Sequence, residues 1–238
     1  MELHDRLTDL AARVGGPLLG FDTSGPVTAF CTVGWNDGDV LETAVVDAEL
    51  PSEALADALA AEFARTGVRP ADLKAVVLGL GPGSFTGLRV GLAMAKGMAL
   101  GAATPLYGVS SLAMLAASYG AGRIALAQDA RRGEIFSALY LVDEQGAVSC
   151  EIADAVRAPE EFVEVLRGQK EAPTLLAGDR ATALGIADIA TAAWQPPRVA
   201  AGLGLAAERI VKGEGDSAAT LRPHYLRVSE AERQQMQS

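Results

Sequence analysis

The sequence predicts a duplicated α/β fold of two lobes with a cleft between them, and three observations predict it. A three-strand meander occurs twice, as LLGFDTSGPVTAFCTVGWNDGDVLETAVVDA from Leu18 and as RIALAQDARRGEIFSALYLVDEQGAVSCEI from Arg123. Asp22 corresponds to Asp129 and Asp37 to Asp143 at nearly the same offset. Both copies alternate apolar and polar residues between turn-forming clusters, the pattern of antiparallel strands. Helical and strand segments then follow each meander, as expected of two βββαβα-type halves. The chain has 238 residues, 50% of them hydrophobic, enough for one large core or two of roughly 110 residues each.

Taken in order, residues 2–14 place Leu3, Leu7, Leu10 and Val14 on one face, which predicts a short amphipathic helix laid on the surface as an N-terminal extension, residues 1–16. It carries charges where a secretory segment would have an unbroken apolar run, and its two arginines are too few for membrane binding. A first lobe, 17–120, is predicted to hold strands joined by turns at 23–26 and 36–39, a helix over 52–65, a strand over 75–80, and helices over 86–100 and 110–119. A second lobe, 121–228, repeats this with a strand ending at Asp129, another through Tyr140, a turn at 143–146 and a third strand. A helix over 159–167, a strand over 174–177 and a helix over 203–212 complete it. Residues 229–238 read as a polar tail. The stretch 90–109 is interrupted by Lys96 and glycines and predicts no membrane span, so the expectation is a soluble, cytoplasmic protein.

The most informative stretch is GLGPGSFTGLRVGLAMAKG at 79–97. A strand ends, Gly81, Pro82 and Gly83 turn the chain, and Ser84 or Thr86 caps the next helix. Such a turn offers backbone N–H groups at the positive end of a helix dipole, an anion site in principle. The phosphate-loop pattern GxxxxGK[ST] fails because no Lys follows Gly87 and Arg89 is out of place, and GxGxxG fails because Thr86 stands at the third glycine. Phe85 at the tip favours an anchoring or interface role over phosphate binding. Along the helix Gly87, Gly91, Ala95 and Ala99 form one small-residue row, with Ala93, Gly97 and Gly101 as a second beside it. Glycine within a helix costs about 1 kcal/mol relative to alanine, so these rows need a close-packing partner, either in the same domain or on another chain.

A two-lobed duplication of this kind is the actin-like architecture (ASKHA, ribonuclease H-like) of actin, sugar kinases and Hsp70. There the turn after the first strand of each half faces nucleotide phosphates. The corresponding residues are Asp22, Thr23 and Ser24 in one lobe and Asp129, Ala130 and Arg131 in the other, with Gly81, Gly83 and Ser84 beside the first. They read either as a phosphate and magnesium cleft or, preferred, as aspartates that close tight turns. The adenosine side, Leu176 to Arg180, holds a single glycine, which leaves an ATPase poorly equipped. The alternative function is nonetheless an ATP-dependent kinase or hydrolase acting alone, with Asp22 and Asp129 holding magnesium through water. Zinc hydrolysis is disfavoured because the histidines are His4 and His224 alone. Cys31 and Cys150 lack metal or redox spacing and are expected as buried thiols. A net charge of −10 argues against a chain that grips nucleic acid by itself.

GLGPGSFTGLRVG, with DTS after the first strand, DARRGEIF after the fourth and Pro223, His224, Tyr225, Leu226 and Arg227 near the end, resembles the TsaB (YeaZ) family over residues 18 to about 228. The resemblance implies a scaffold without catalysis or cofactor of its own that pairs with TsaD, the transferase placing a threonylcarbamoyl group on the adenosine beside the anticodon in tRNAs reading codons that begin with A. It implies the TsaE ATPase as a further partner, ATP or ADP with Mg at the complex interface, tRNA contact through the complex, and homodimers when alone. It also implies an interface on the two helices that here carry Leu55, Leu59 and Phe63 and, after the loop, Phe85, Thr86, Gly87, Leu88, Gly91 and Ala95, burying about 800 Å² per partner. The chain departs from the family's pattern at Pro51, Ser52 and Glu53, where relatives show a His motif, and in residues 1–14.

Overall fold

The computed structural model describes residues 2–34, 40–45 and 54–226. The turn at 36–39, the departure at 51–53, Arg227 and the polar tail lie outside them. Helix α1 (Leu3–Val14) ends on Gly15, whose left-handed φ of 72° lets its N–H reach the carbonyls of Ala11 and Ala12. Strands β1 (Leu18–Asp22), β2 (Thr28–Val33) and β3 (Val40–Val45) form the first meander. Helix α2 (Ala54–Thr66), β4 (Ala75–Gly79), α3 (Phe85–Ala102), β5 (Leu106–Val109) and α4 (Ser111–Ala117) follow. The second half runs β6 (Gly122–Asp129), β7 (Ile135–Val142), β8 (Val148–Arg157), α5 (Pro159–Arg167), β9 (Leu175–Ala177), β10 (Ala190–Ala192) and α6 (Val199–Lys212).

The two sheets have the orders β3-β2-β1-β4-β5 and β8-β7-β6-β9-β10, with an antiparallel meander on one side and parallel strands on the other in both. This is one ribonuclease H-like sheet used twice, the actin-like fold. Strands β5 and β10 escaped the sequence reading, and α6 starts four residues before the expected 203.

Alternation along β1 directs Leu18 to one face of the first sheet and Leu19 and Phe21 to the other. The Leu19 face meets α2 and α3 through Leu55, Leu59, Leu92 and Ala95. The Leu18 face is covered by α6, from the second half of the chain, through Val199, Leu203 and Ala206. Conversely α4, from the first half, covers the second sheet with Leu112 and Leu115 against Ile124, Leu126 and Tyr140, and α5 covers its far side with Phe162 and Leu166. Helices α4 and α6 touch each other, and Met114 of α4 packs in the α6 core. A lobe boundary at 120 therefore does not describe the packing: the helix after the last strand of each half crosses to the other half's territory.

The expectation of a surface-laid α1 also needs correction. Leu3, Leu7, Leu10 and Ala11 are buried in the α6 core, and Leu3 lies 3.7 Å from where a Cβ on Gly146 of the β7–β8 turn would sit. The leucine stripe was read correctly, but its partner is the chain's own interior. Cys31 is buried, whereas Cys150, expected buried, is exposed.

Candidate functional site

The β1–β2 turn and the loop between β4 and α3 are stitched into one body. Asp22 has no solvent exposure. Its Oδ1 accepts from the Ser24 N–H at 2.9 Å and the Ser24 hydroxyl at 2.6 Å, and its Oδ2 accepts from Ser111 Oγ at 2.5 Å. Ser111 Oγ in turn accepts from the Gly81 N–H at 3.0 Å, and the Ser84 N–H donates to the Ser24 carbonyl at 2.7 Å. Gly79 is required here, since a Cβ on it would lie 1.7 Å from Asp22 Oδ2. Burial drives the Asp22 carboxyl up from its ordinary value, opposed by the bonds from Ser111 and Ser24. With both oxygens engaged inside the protein, Asp22 closes a turn and ties two loops together. Thr23 and Gly81 are buried beside it. Ser84 is exposed, and its hydroxyl caps α3 by accepting from the Gly87 N–H at 3.2 Å.

The equivalent turn in the second half repeats the device. Asp129 Oδ1 accepts from the Arg131 N–H at 2.9 Å, and the other oxygen pairs with Arg180 at 3.1 Å and Arg131 at 3.5 Å. Desolvation pulls its pKa up, but the Arg131 N–H and the Arg180 guanidinium outweigh it and hold it below the ordinary value. Arg131 and Arg132 both adopt left-handed backbone, at φ 68° and 58°, so the chain reverses before Gly133. Both aspartates thus close turns onto the N–H two residues on. Among the described residues no three of His, Cys, Asp and Glu gather as a metal would need.

The two small-residue rows of α3 face opposite ways. A Cβ on Gly87 would lie 2.0 Å from the Thr23 carbonyl oxygen, and one on Gly91 would lie 2.3 Å from Thr23 Oγ1, which donates to the Gly87 carbonyl at 2.8 Å. Gly91, Ala95 and Leu88 are buried, as are Leu55 and Leu59 of α2, and Phe63 is half-buried against the same core. The five buried residues seat α2 and α3 on their own sheet rather than present a contact surface, Phe63 keeps part of its surface outward, and the half-buried Gly87 seats α3 against Thr23. Beyond Phe85, the exposed residues of α3 are Thr86, Arg89, Ala93, Gly97, Leu100 and Gly101, and on α2 Ala60, Ala61 and Ala64 are exposed as well. Cβ atoms on Gly97 and Gly101 would meet nothing within 4 Å, and Leu100 is 84% exposed. Of the expected interface residues, Phe85 and Thr86 remain on this surface.

Residues 48–211 match a family model described as "TsaD: tRNA N6-adenosine threonylcarbamoyltransferase". A Bacillus subtilis protein named tRNA threonylcarbamoyladenosine biosynthesis protein TsaB is 33% identical over 71% of this chain and 76% of its own length. The chain belongs to the TsaB (YeaZ) family. An Escherichia coli protein of the same name is 37% identical over 60% of this chain, a match spanning 63% of that relative's length. The solved structure of YeaZ from Pseudomonas aeruginosa is 28% identical, with a TM-score of 0.75 over 89% of this chain and all of that one.

In this TsaB-family chain the motif segments converge on one corner. Tyr225 stacks on Phe85 with ring centroids 5.3 Å apart, Arg89 lies over the Phe85 ring at 5.1 Å, and the His224 N–H donates to the Leu80 carbonyl at 2.7 Å. Phe85 is therefore an anchor, for the C-terminal segment of its own chain. Tyr225 entered the sequence reading only within the closing motif at 223–227, without a contact assigned to it, and Ser111 was not singled out; a serine at a helix start carries no spacing signal.

Proposed function

We propose that this chain is the non-catalytic partner of TsaD in the formation of tRNA N6-threonylcarbamoyladenosine, docking through the exposed row of α3 and the alanines of α2. The biosynthetic role rests on family membership. The docking face rests on one observation: Gly97 lies in the middle of α3 with open space where its Cβ would be. It costs helix stability without any packing return inside the chain. A small-residue stripe next to an exposed leucine suits close approach of another helix. On this reading TsaD carries the chemistry and the tRNA surface for tRNAs that read codons beginning with A, TsaE joins the complex, nucleotide and magnesium belong to the assembly, and the acidic chain needs no nucleic-acid surface of its own.

Two measurements test it. In a threonylcarbamoylation assay with TsaD, TsaE, the donor-forming synthase and ATP, product formation should depend on adding this chain. Equal activity without it overturns the reading and turns attention to ATP turnover by the chain alone, lost on Asp22→Ala. Gly97→Phe should abolish pairing with TsaD while thermal unfolding stays near wild type, whereas Gly91→Phe should fail at folding because Thr23 occupies that space. Full pairing by a folded Gly97→Phe protein would remove the face from consideration.

A further inference from the structure

We propose that the adjacent serines Ser110 and Ser111 form a two-way latch that couples the second sheet to the loop preceding α3, so that the position of one lobe sets the geometry of the other. The two side chains engage opposite partners. Ser111 Oγ donates to Asp22 Oδ2 and accepts from the Gly81 N–H, and the Ser111 N–H donates to the Gly81 carbonyl at 2.9 Å, all within the first lobe. Ser110 Oγ donates to Asp154 Oδ2 of β8 at 2.6 Å and lies 3.1 Å from the hydroxyl oxygen of Tyr140 on β7, whose one proton goes to Asp154. The same Tyr140 hydroxyl donates to Asp154 Oδ1 at 2.6 Å, which closes the triangle. Ser110 also caps α4 by accepting from the Ala113 N–H at 3.2 Å.

Two neighbouring residues at the start of the crossing helix α4 therefore hold one carboxylate in each lobe. Burial and the adjacent Asp154 push the Tyr140 phenol well above its ordinary value, so it remains a donor at physiological pH. Because consecutive Cα atoms are fixed about 3.8 Å apart, a displacement of the second sheet that keeps the Ser110 bonds is passed to Ser111. Displacing β7 and β8 would drag Ser110, then Ser111, then Gly81 and the start of α3. The coupling is a property of the isolated chain and does not depend on the docking reading.

Hydrogen exchange on the full chain tests it. Asp154→Asn and Tyr140→Phe touch Ser110 but nothing in the loop, and Tyr140→Phe keeps the ring in its core. Each should speed exchange of the Gly81 and Ser84 amides by about fivefold, the effect of losing one ordinary hydrogen bond from a coupled local opening. Ser149→Ala, which removes another hydroxyl from β8, should leave those amides unchanged. If faster exchange stays confined to β7, β8 and α4 in both variants, the latch is refuted. If Asp154→Asn does not fold, the outcome for Tyr140→Phe decides, and a Ser111→Ala variant must then loosen Gly81 while sparing Tyr140; failure of either refutes the proposal.

Discussion

Asp22 shows how the same residue type in the same place can change its work. A carboxylate at the end of the first strand, two residues before a serine, is well placed to approach a phosphate-bound cation, yet here three donors from Ser24 and Ser111 occupy its oxygens. Burial lifts its pKa above the ordinary 3.8. A group raised in the folded state contributes stability that is present below its unfolded value and lost as pH rises through the folded one. The stability of the wild-type chain relative to Asp22→Asn should therefore fall as pH climbs past 3.8. Denaturant titrations at a series of pH values would read this, and a difference that grew with pH would show that the donors, not burial, dominate.

At the scale of elements, α1 and α3 teach the same lesson about faces. Periodicity located the leucines of α1 and both rows of α3, but it could not say what each face would meet. Leu7 is 1% exposed inside a core shared with α6. Leu7→Ala should cost about 3 kcal/mol, measured as a loss of unfolding free energy; a loss below about 1 kcal/mol would mean that α1 is the detachable helix the sequence suggested. The duplication was legible because alternation and turn residues repeat across Leu18 and Arg123. Strands β5 and β10 were not: at four and three residues, reading LYGV and ATA, they are too short for an alternation to register. Of the candidate site, the loop and the small rows were visible. Their assignment to a partner failed at Gly91 and Ala95 because an inward and an outward row of glycines and alanines look alike until Thr23 is placed against one of them.

For the whole molecule, the layers run α2 and α3, first sheet, α6 and α4, second sheet, α5. The middle layer is exchanged between halves of the chain. Residues 1–120 alone would leave Leu18, Ala75 and Val77 without α6, and 121–238 alone would leave Ile124 and Leu126 without α4. We expect neither fragment to give a cooperative melt, and the full chain to unfold in one transition; an independently folded fragment would show that the exchanged helices are dispensable. The crossing has a further consequence during synthesis. The first sheet is translated by Val109, but the helix that shields its inner face is complete only at Lys212. At translation rates of about 5–20 residues per second, the nascent sheet waits roughly 5–20 s with the part of that face under Val199, Leu203 and Ala206 uncovered, α1 and Met114 being its early cover. Chaperone dependence and aggregation of this chain should therefore track the speed at which the ribosome moves through its second half.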